Sequence, residues 1–252
     1  MTRRRSPARL VTTLAGMALA AVLGLCGYAV VTGGGTGGAG AFDGSAVATP
    51  GTTTGVAPAT PGARDAGVPS AAEARTLLAG LPVKGSAPKT GYDRVADFGE
   101  AWLDVDGNGC DTRDDILARD LTGVVRRGSC TVVSGTLDDP YTGTRIAFER
   151  GVDTSARVQI DHVVPLMDAW RTGAQGLSQE AREHLANDPL NLVAVDGPTN
   201  QQKGAGDAAT WLPPAKAYRC TYAARQVAVK SAYGLWVVPA ERAALERILA
   251  AC

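Results

Sequence analysis

The chain has 252 residues, and its 25 basic and 25 acidic side chains balance. That length is enough for one or two domains, and the balanced charge excludes a protein that coats nucleic acid through a broadly basic surface. From Thr90 onward, 17 basic residues stand against 22 acidic ones. A nucleic acid would therefore have to be held by a local group of cations or by a bound metal.

The N-terminal segment has the pattern of a membrane anchor. Met1 to Arg9 contains four arginines and no acidic residue, and the 22 residues from Leu10 to Val31 carry no charge. A helix of that length is about 33 Å long, which spans a hydrocarbon core of about 30 Å. We expect residues 1–31 to be an uncleaved single-span anchor with the rest of the chain outside the cytoplasm. A cleaved secretory signal is the alternative.

The next segment, residues 32–86, is rich in Gly, Ala, Thr, Ser and Pro and poor in large apolar residues. It cannot bury enough apolar surface to offset its conformational entropy, so it is predicted to be a disordered linker. A brief helix over Ala71 to Leu81 is compatible with that prediction. Residues 87–252 contain all four tryptophans and have the composition of a globular domain.

The domain contains four of the chain's five cysteines, and outside the cytoplasm these predict two disulfides. Pairing Cys110 with Cys130 and Cys220 with Cys252 is the simplest of the three possible arrangements. In the chain-entropy description each bond would stabilise the fold by about 3 kcal/mol. The sequence has no Cys-x-x-Cys spacing of the kind found in zinc sites.

Apolar residues at steps of three and four predict helices in the domain, and β-branched runs predict strands. The predicted helices cover residues 91–103, a stretch that ends at 121, 166–171, 178–187, 216–233 and the chain from 239 onward. The predicted strands cover residues 131–137, 145–149, 158–164 and 190–195, and Gly197-Pro198 predicts a turn. Strands and helices do not alternate regularly, so the predicted fold class is α+β.

One group of polar residues follows the strand over 158–164. Asp161 and His162 lie near the end of that strand in the stretch Ile-Asp-His-Val-Val-Pro, and His162 is one of only two histidines. Farther along, Asn191 and Asn200 bracket a short apolar stretch, and Lys203 follows. An imidazole base, oxygen ligands for a hard cation and a lysine together suit metal-assisted cleavage of a phosphodiester.

These motifs resemble those of HNH endonucleases of the ββα-metal type. More narrowly, residues 90–252 resemble secreted HNH proteins related to the C-terminal domain of GmrSD-type restriction endonucleases. Further stretches that fit this group are 101–102, 109–113, 135–143 and 206–214. The resemblance implies a ββα-metal core with flanking helices and an extra small antiparallel sheet. The third motif position is Asn200 rather than a histidine, a variant that the wider superfamily also uses.

The resemblance implies a role for each motif residue. His162 would be the general base, and Asp161 with Asn200 would bind one Mg²⁺, or Mn²⁺ or another divalent cation. Lys203 would neutralise a phosphate oxygen in the catalytic site. Asn191 would belong to the same site by bracing the loop that holds His162. The expected product ends are a 5′-phosphate and a 3′-hydroxyl.

The substrate implied by the resemblance is DNA, with RNA as a second candidate. Arg113 is an additional candidate phosphate contact because its Asp-Thr-Arg stretch fits the family pattern. The membrane is a partner through the N-terminal segment if that segment is not cleaved, and no protein partner is predicted. The other histidine, His184, is expected to be exposed and without a function.

A second constellation has the spacing of a calcium loop. Asp104, Asp106, Asn108 and Asp115 match positions of an EF-hand loop, except that aspartate replaces the final glutamate. They predict a structural Ca²⁺ site. The alternative is a glycine-rich turn before a helix that Thr112 caps.

Two functions follow from these patterns. The first is an extracytoplasmic, metal-dependent endonuclease with His162 as the general base. The second is a non-catalytic, calcium-stabilised cell-surface module on an HNH scaffold, since a fold alone does not guarantee activity.

Overall fold

The computed structural model describes residues 63–252. Within them the chain forms a mixed α+β domain with eight α-helices, a three-stranded antiparallel sheet and a two-stranded antiparallel sheet, which confirms the predicted fold class. The predicted membrane segment and most of the predicted linker lie outside the described residues. In residues 63–252, no helix is both long and apolar enough to cross a bilayer.

The helices are α1 (Ala71–Gly80), α2 (Arg94–Phe98), α3 (Thr112–Asp120), α4 (Leu166–Arg171), α5 (Gln179–Asn187), α6 (Gly197–Lys203), α7 (Arg219–Ala232) and α8 (Pro239–Ala250). The strands are β1 (Leu121–Arg127), β2 (Thr131–Asp138), β3 (Arg145–Glu149), β4 (Val158–His162) and β5 (Leu192–Asp196).

The first sheet has the order β1-β2-β3, with Leu121 opposite Leu137 and Gly135 opposite Phe148. Strand β1 was not predicted. It follows α3 without a break, and apart from Leu121 none of its residues is fully buried, so it lacks the apolar alternation of a half-buried strand. Helix α3 packs Ile116 and Leu117 into a core shared with both sheets.

The second sheet pairs β4 with β5 in antiparallel register, so that Asp161 lies opposite Val193 and His162 opposite Leu192. Helix α6 follows β5 directly, which gives the ββα order. The turn predicted at Gly197-Pro198 is instead the first turn of α6. Proline is tolerated there because its missing N–H has no partner in a first turn, and the Asp196 side chain accepts the Thr199 N–H at 2.9 Å.

Gly197 is also a point of close approach between α6 and the chain before β4. A Cβ built at this position would lie 2.1 Å from the carbonyl oxygen of Ala156. Only glycine fits, and it fixes the start of α6 against the segment that leads into β4.

The predicted boundary at residue 87 is wrong, because the folded domain begins earlier. Helix α1 packs against α7 and α8 and buries Ala74 and Leu78. Ser70 and Glu73 form a capping box at its start. The brief helix expected over Ala71 to Leu81 is thus present, but it is part of the folded domain, and the linker prediction fails for the C-terminal part of residues 32–86.

The helix predicted over residues 91–103 is shorter than expected. It ends at Phe98 because Gly99 has φ 77°, a left-handed conformation that glycine adopts readily. Trp102 then also has a positive φ of 65°, which is a strained conformation for a bulky residue.

Both predicted disulfides are present. Cys110 is bonded to Cys130, which ties the loop before α3 to the turn between β1 and β2. Cys220 is bonded to Cys252, which ties the start of α7 to the C-terminus. Disulfides of this kind are typical of proteins outside the cytoplasm.

Candidate active site

His162 is the last residue of β4, and its imidazole is largely buried. Nε2 lies 2.8 Å from the carbonyl oxygen of Ala186. A carbonyl oxygen only accepts hydrogen bonds, so Nε2 carries the proton and Nδ1 keeps its lone pair. Among residues 63–252, Nδ1 has no hydrogen-bond partner, which leaves this nitrogen as the basic atom of the ring.

The charge state of His162 follows from its surroundings. Burial lowers the pKa of its imidazole to about 3, and the positive charge of Arg94 lowers it further in the same direction. The ring is therefore neutral at physiological pH. The indole of Trp102 covers it in a nearly parallel stack, with centroids 6.3 Å apart and an interplanar angle of 11°.

Asp161, the neighbouring residue in β4, is buried and forms an ion pair. Its Oδ1 and Oδ2 lie 2.9 and 2.7 Å from Nζ of Lys203, and Oδ2 also accepts a hydrogen bond from the hydroxyl of Tyr141. Burial raises the pKa of the Asp161 carboxyl and lowers that of the Lys203 ammonium, while the attraction between them opposes both shifts.

Lys203, at the end of α6, is as buried as its partner. Its third donor goes to the backbone carbonyl of His162 at 2.6 Å. All three N–H donors of the ammonium are thus used inside the protein. The predicted contact between Lys203 and a substrate phosphate does not fit this arrangement. Lys203 instead holds the end of β4 against α6.

Tyr141, in the loop between β2 and β3, completes the surroundings of the Asp161 carboxylate. It is fully buried, and its ring packs against Trp211, Tyr218 and Tyr222 at centroid distances of 5.0, 6.1 and 5.9 Å. Burial and the nearby carboxylate raise the pKa of its hydroxyl well above the ordinary value. The hydroxyl therefore stays protonated and acts as a donor.

Asn200, in the middle of α6, presents its carbonyl oxygen. Gln159 donates from Nε2 to the carbonyl of Ala156 at 3.4 Å, which turns its Oε1 toward Asn200. Asn200 donates from Nδ2 to that oxygen at 3.0 Å. The remaining polar atom of the Asn200 side chain is Oδ1, a possible ligand for a hard cation.

Three of the predicted site residues line one open cavity of about 370 Å³: Asp161, His162 and Asn200. Arg94, Tyr92 and Pro165 contribute to the same wall. A cavity of this size admits a phosphodiester with parts of its sugars.

Asn191 lies behind this cavity and is completely buried. Its Oδ1 accepts the backbone N–H of Val164 at 2.8 Å, and its Nδ2 donates to the carbonyls of Val164 and Leu185 at 3.3 and 3.2 Å. These bonds fix the loop that follows His162. Asn191 braces the site and does not line the cavity.

Asp161 and Asn200 are the two predicted cation ligands, and both line the cavity. Lys203 and Tyr141 already donate three hydrogen bonds to the Asp161 carboxylate. Within residues 63–252, no three His, Cys, Asp or Glu side chains are grouped closely enough to hold a metal ion. A divalent ion would thus be held by oxygens of these two side chains and by water or phosphate, as Mg²⁺ often is.

Comparison with known proteins places the domain in a family. Residues 111–248 match the family described as GmrSD restriction endonucleases, C-terminal domain. The chain belongs to this GmrSD family. Membership indicates a nuclease-type hydrolase and hence binding of nucleic acid. An uncharacterized secreted protein of Arthroderma benhamiae is 41% identical over 187 residues, which cover 73% of this chain and 87% of that protein. No solved structure matches the chain.

Arg113, which fits the GmrSD pattern, is turned toward the protein interior. Its guanidinium donates to the carbonyl of Val158 at 3.2 Å, and burial lowers its pKa. It does not line the cavity. The predicted phosphate contact by Arg113 is therefore not supported by this arrangement. The side chain instead stabilises the start of β4 through its hydrogen bond to Val158.

The predicted calcium loop, most of which precedes the matched stretch, is held by its own hydrogen bonds. Asp104 accepts the backbone N–H groups of Gly107 and Gly109 at 2.8 and 2.9 Å. Asn108 donates from Nδ2 to Asp106 and Asp115 at 3.1 and 3.2 Å. In the part of the chain that the structure describes, these carboxylates do not form a metal-holding group. Calcium binding by the loop stays a prediction.

The same loop also corrects the alternative helix cap. Asp111, and not Thr112, caps α3, because its carboxylate accepts the N–H of Asp114 at 2.8 Å. The hydroxyl of Thr112 instead donates to the carbonyl of Leu103.

Three residues near the candidate site were not predicted from the sequence: Arg94, Trp102 and Tyr141. Tyr141 lies within the stretch that matches the family and Trp102 lies before it, and nothing in the local sequence indicates which buried group either of them contacts. Arg94 carries no signal at all, since an arginine at the start of a short helix is ordinarily a solvated surface residue.

Proposed function

We propose that this chain is an extracytoplasmic, metal-dependent endonuclease of the HNH type that hydrolyses phosphodiester bonds of DNA, with RNA as a second substrate. One observation carries the proposal. Nδ1 of a neutral His162 has a free lone pair, and His162 lines the same cavity as the oxygen-bearing side chains of Asp161 and Asn200.

In this mechanism His162 is the general base. Nδ1 takes a proton from the attacking water, and the carbonyl of Ala186 holds the ring through Nε2 while the charge develops. A base with a pKa of about 3 is fully deprotonated at neutral pH but weak. An anionic phosphate in the cavity raises the proton affinity of the ring, because it favours the imidazolium.

Asp161 and Asn200 would hold one Mg²⁺, Mn²⁺ or similar cation. When bound, such an ion supplies positive charge for the phosphorane-like transition state and for the departing 3′-oxygen. The expected product ends are a 5′-phosphate and a 3′-hydroxyl. Lys203, Tyr141 and Asn191 position the groups that react and do not contact the substrate.

Two observations support a location outside the cytoplasm. The domain has two disulfides, which persist mainly in oxidising compartments, and the relative in Arthroderma benhamiae is described as secreted. We retain the prediction that residues 1–31 are an anchor or a signal, so the nuclease domain acts at the cell surface or after release.

The test is a plasmid-nicking assay on the full-length protein in a non-ionic detergent, with Mg²⁺, with Mn²⁺ or with EDTA. We expect cleavage only with a divalent cation. His162→Ala should lower the rate about 100-fold to 10,000-fold, the usual contribution of a general base. His184→Ala is the matched control, because His184 is the other histidine and is exposed. Equal cleavage by wild type and His162→Ala would refute the mechanism.

A second function rests on the excess of acidic residues in the domain, 22 against 17 from Thr90 onward. That balance favours a non-catalytic, calcium-stabilised surface module over a protein that binds polyanions. Absence of cleavage by the wild type with every divalent cation, together with a melting temperature that rises with calcium, would support it.

A further inference from the structure

Neither of the two predicted phosphate-binding cations is free to balance the charge of a substrate in the cavity. A phosphodiester that enters the cavity carries a negative charge, yet both side chains predicted to bind it form hydrogen bonds within the protein. Lys203 donates its three hydrogen bonds to Asp161 and to the carbonyl of His162. Arg113 donates to the carbonyl of Val158. Neither side chain lines the cavity.

Arg94, the first residue of α2, is the single arginine or lysine on the wall of the 370 Å³ cavity within the described chain. It lines this cavity together with His162 and Asn200. It also lines a smaller adjoining space with His162 and Trp102. Arg94 thus lines two cavities that the proposed base also lines.

The guanidinium of Arg94 is available to a ligand. The side chain is exposed, and within residues 63–252 it forms no ion pair and no side-chain hydrogen bond. The nearest acids in sequence are already used: Asp93 caps α2 by accepting from Val95 and Ala96 at 3.0 and 2.9 Å. Asp97 accepts the backbone N–H of Asp93 at 2.7 Å.

The backbone that carries Arg94 is fixed. Phe98 anchors α2 in the core next to Tyr92 and Trp170. Arg182 of α5 donates to the carbonyl of Asp97 at 2.7 Å. The Cα of Arg94 is thus held beside the cavity, and the planar fork of its unpaired guanidinium matches the oxygen atoms of a phosphate.

We propose that Arg94 is the substrate-binding residue that holds the nucleic acid backbone in the cavity, through charge-assisted hydrogen bonds to a phosphodiester. The proposal rests on the proposed nuclease function. In this proposal the Arg94 guanidinium contacts a phosphate and not a base edge, so the affinity should be the same for all base sequences. Arg94 lies outside the stretch that matches the GmrSD family.

Binding without cleavage tests this assignment. The full-length protein in detergent, oxidised and in EDTA, is titrated with a short fluorescent single-stranded oligodeoxynucleotide over a range of salt concentrations. Arg94→Ala should weaken binding about tenfold, the loss typical of a hydrogen bond to a charged group. It should also reduce the slope of log affinity against log salt by about 0.7, the value for one phosphate contact on a single strand. A merely structural residue would leave that slope unchanged.

Two variants complete the test. Arg94→Lys should keep the salt slope and lose part of the affinity, because an ammonium keeps the charge but not the fork. Arg127→Ala is the matched control: Arg127 is an exposed arginine at the end of β1 that lines none of the described cavities near the site. It should leave both affinity and slope unchanged.

The outcomes separate this proposal from the nuclease proposal. Wild-type affinity and slope in Arg94→Ala would overturn the assignment of Arg94, as would a wild type that does not bind the oligonucleotide in EDTA. Failure of the wild type to cleave with any divalent cation would overturn the nuclease function alone, since binding in EDTA does not require catalysis. Loss of cleavage in His162→Ala with unchanged binding would leave the Arg94 proposal intact.

Discussion

The rings of Trp102 and His162 form a parallel, offset stack although sixty residues separate them, with an interplanar angle of 11° and centroids 6.3 Å apart. The backbone of Trp102 has a φ of 65°, which costs of the order of 1–2 kcal/mol for a residue with a side chain. Helix α2, which leads into this turn, packs against α4 and α5, and the Trp102 side chain packs against the core that α3 and both sheets share. The strain is thus localised next to the proposed general base.

We expect Trp102→Ala to lower the cleavage rate because the imidazole loses the surface that fixes its plane. An aromatic pair contributes about 0.5–1.5 kcal/mol beyond its buried area, which corresponds to a loss of about twofold to tenfold. Trp102→Phe keeps a stacking ring and should retain most of the activity. Rates are compared at saturating substrate, with the melting temperature as a folding check. A Trp102→Ala rate equal to that of the wild type would show that the stack does not position His162.

The ion pair between Lys203 and Asp161 predicts a large effect on stability. Lys203→Met removes one partner and leaves a buried carboxylate with only the hydroxyl of Tyr141, which should lower the free energy of unfolding by about 3–5 kcal/mol. Lys216→Met is the control, since Lys216 is an exposed lysine without a described ion pair. Urea unfolding monitored by tryptophan fluorescence measures both variants. A loss below about 1 kcal/mol would contradict the buried pair.

The pH dependence of cleavage should lack the usual histidine step. Burial and the charge of Arg94 lower the pKa of His162 from 6.5 to about 3, so the base form is complete well below neutral pH. The acid limb of kcat/KM should therefore lie below the ordinary histidine pKa of about 6.5. The profile is measured with the metal concentration held at saturation. The buried, neutral imidazole would be contradicted by an acid limb centred at pH 6.5 in the wild type that is absent from the profile of His162→Ala. Single-turnover rates are used for that comparison.

A second buried group predicts how stability depends on pH. Lys230 of α7 lies 3.0 Å from Asp168 and 2.6 Å from Glu241. Two carboxyls therefore share one cation, and burial is the main cause that raises the pKa of Glu241 from 4.5 to about 7. Between these two values the folded state holds a proton that the unfolded state has released. Stability contributed by Glu241 is thus present below pH 4.5 and is lost as the pH rises through about 7.

Glu241→Gln should remove this component and flatten the decline in melting temperature between mildly acidic and mildly alkaline pH. Glu246→Gln on the same helix is the matched control, because Glu246 is exposed and pairs only with Arg242 at the surface. The measured quantity is the difference in melting temperature between each variant and the wild type, at one mildly acidic and one mildly alkaline pH. An equal effect of the two substitutions would argue against a titrating Glu241.

The sequence predicts more of the fold than of the site. The β4–β5 pair follows from β-branched runs bounded by turn residues, and α5 follows from Ser178 as its cap. Strand β1 was not predicted because most of its residues are exposed and show no apolar alternation. Helix α1 was predicted, but its packing into the folded domain was not, because most of its residues are exposed too. Helix α1 packs against α7 and α8, which lie far away in the chain, whereas β1 pairs with β2, the next strand along the chain.

Within the site, residue identity was easier to predict than residue environment. Asp161 and Asn200 stand out because few residues offer hard oxygen ligands at that spacing. The contact between Tyr141 and Asp161 joins two separate sheets, and no local signal encodes it. Lys203 could equally have faced solvent, since its burial depends on the direction in which α6 leaves β5.

Gly197 links these observations. Its Cα lies so close to the carbonyl of Ala156 that a single methyl group would push α6 away from the segment before β4. Asn200 and Lys203 belong to that helix. The proposed metal ligand Asn200 and the Lys203 ammonium, which neutralises Asp161, would therefore be displaced together. A library of random variants should therefore contain inactive proteins changed only at position 197, a residue that touches neither substrate nor metal.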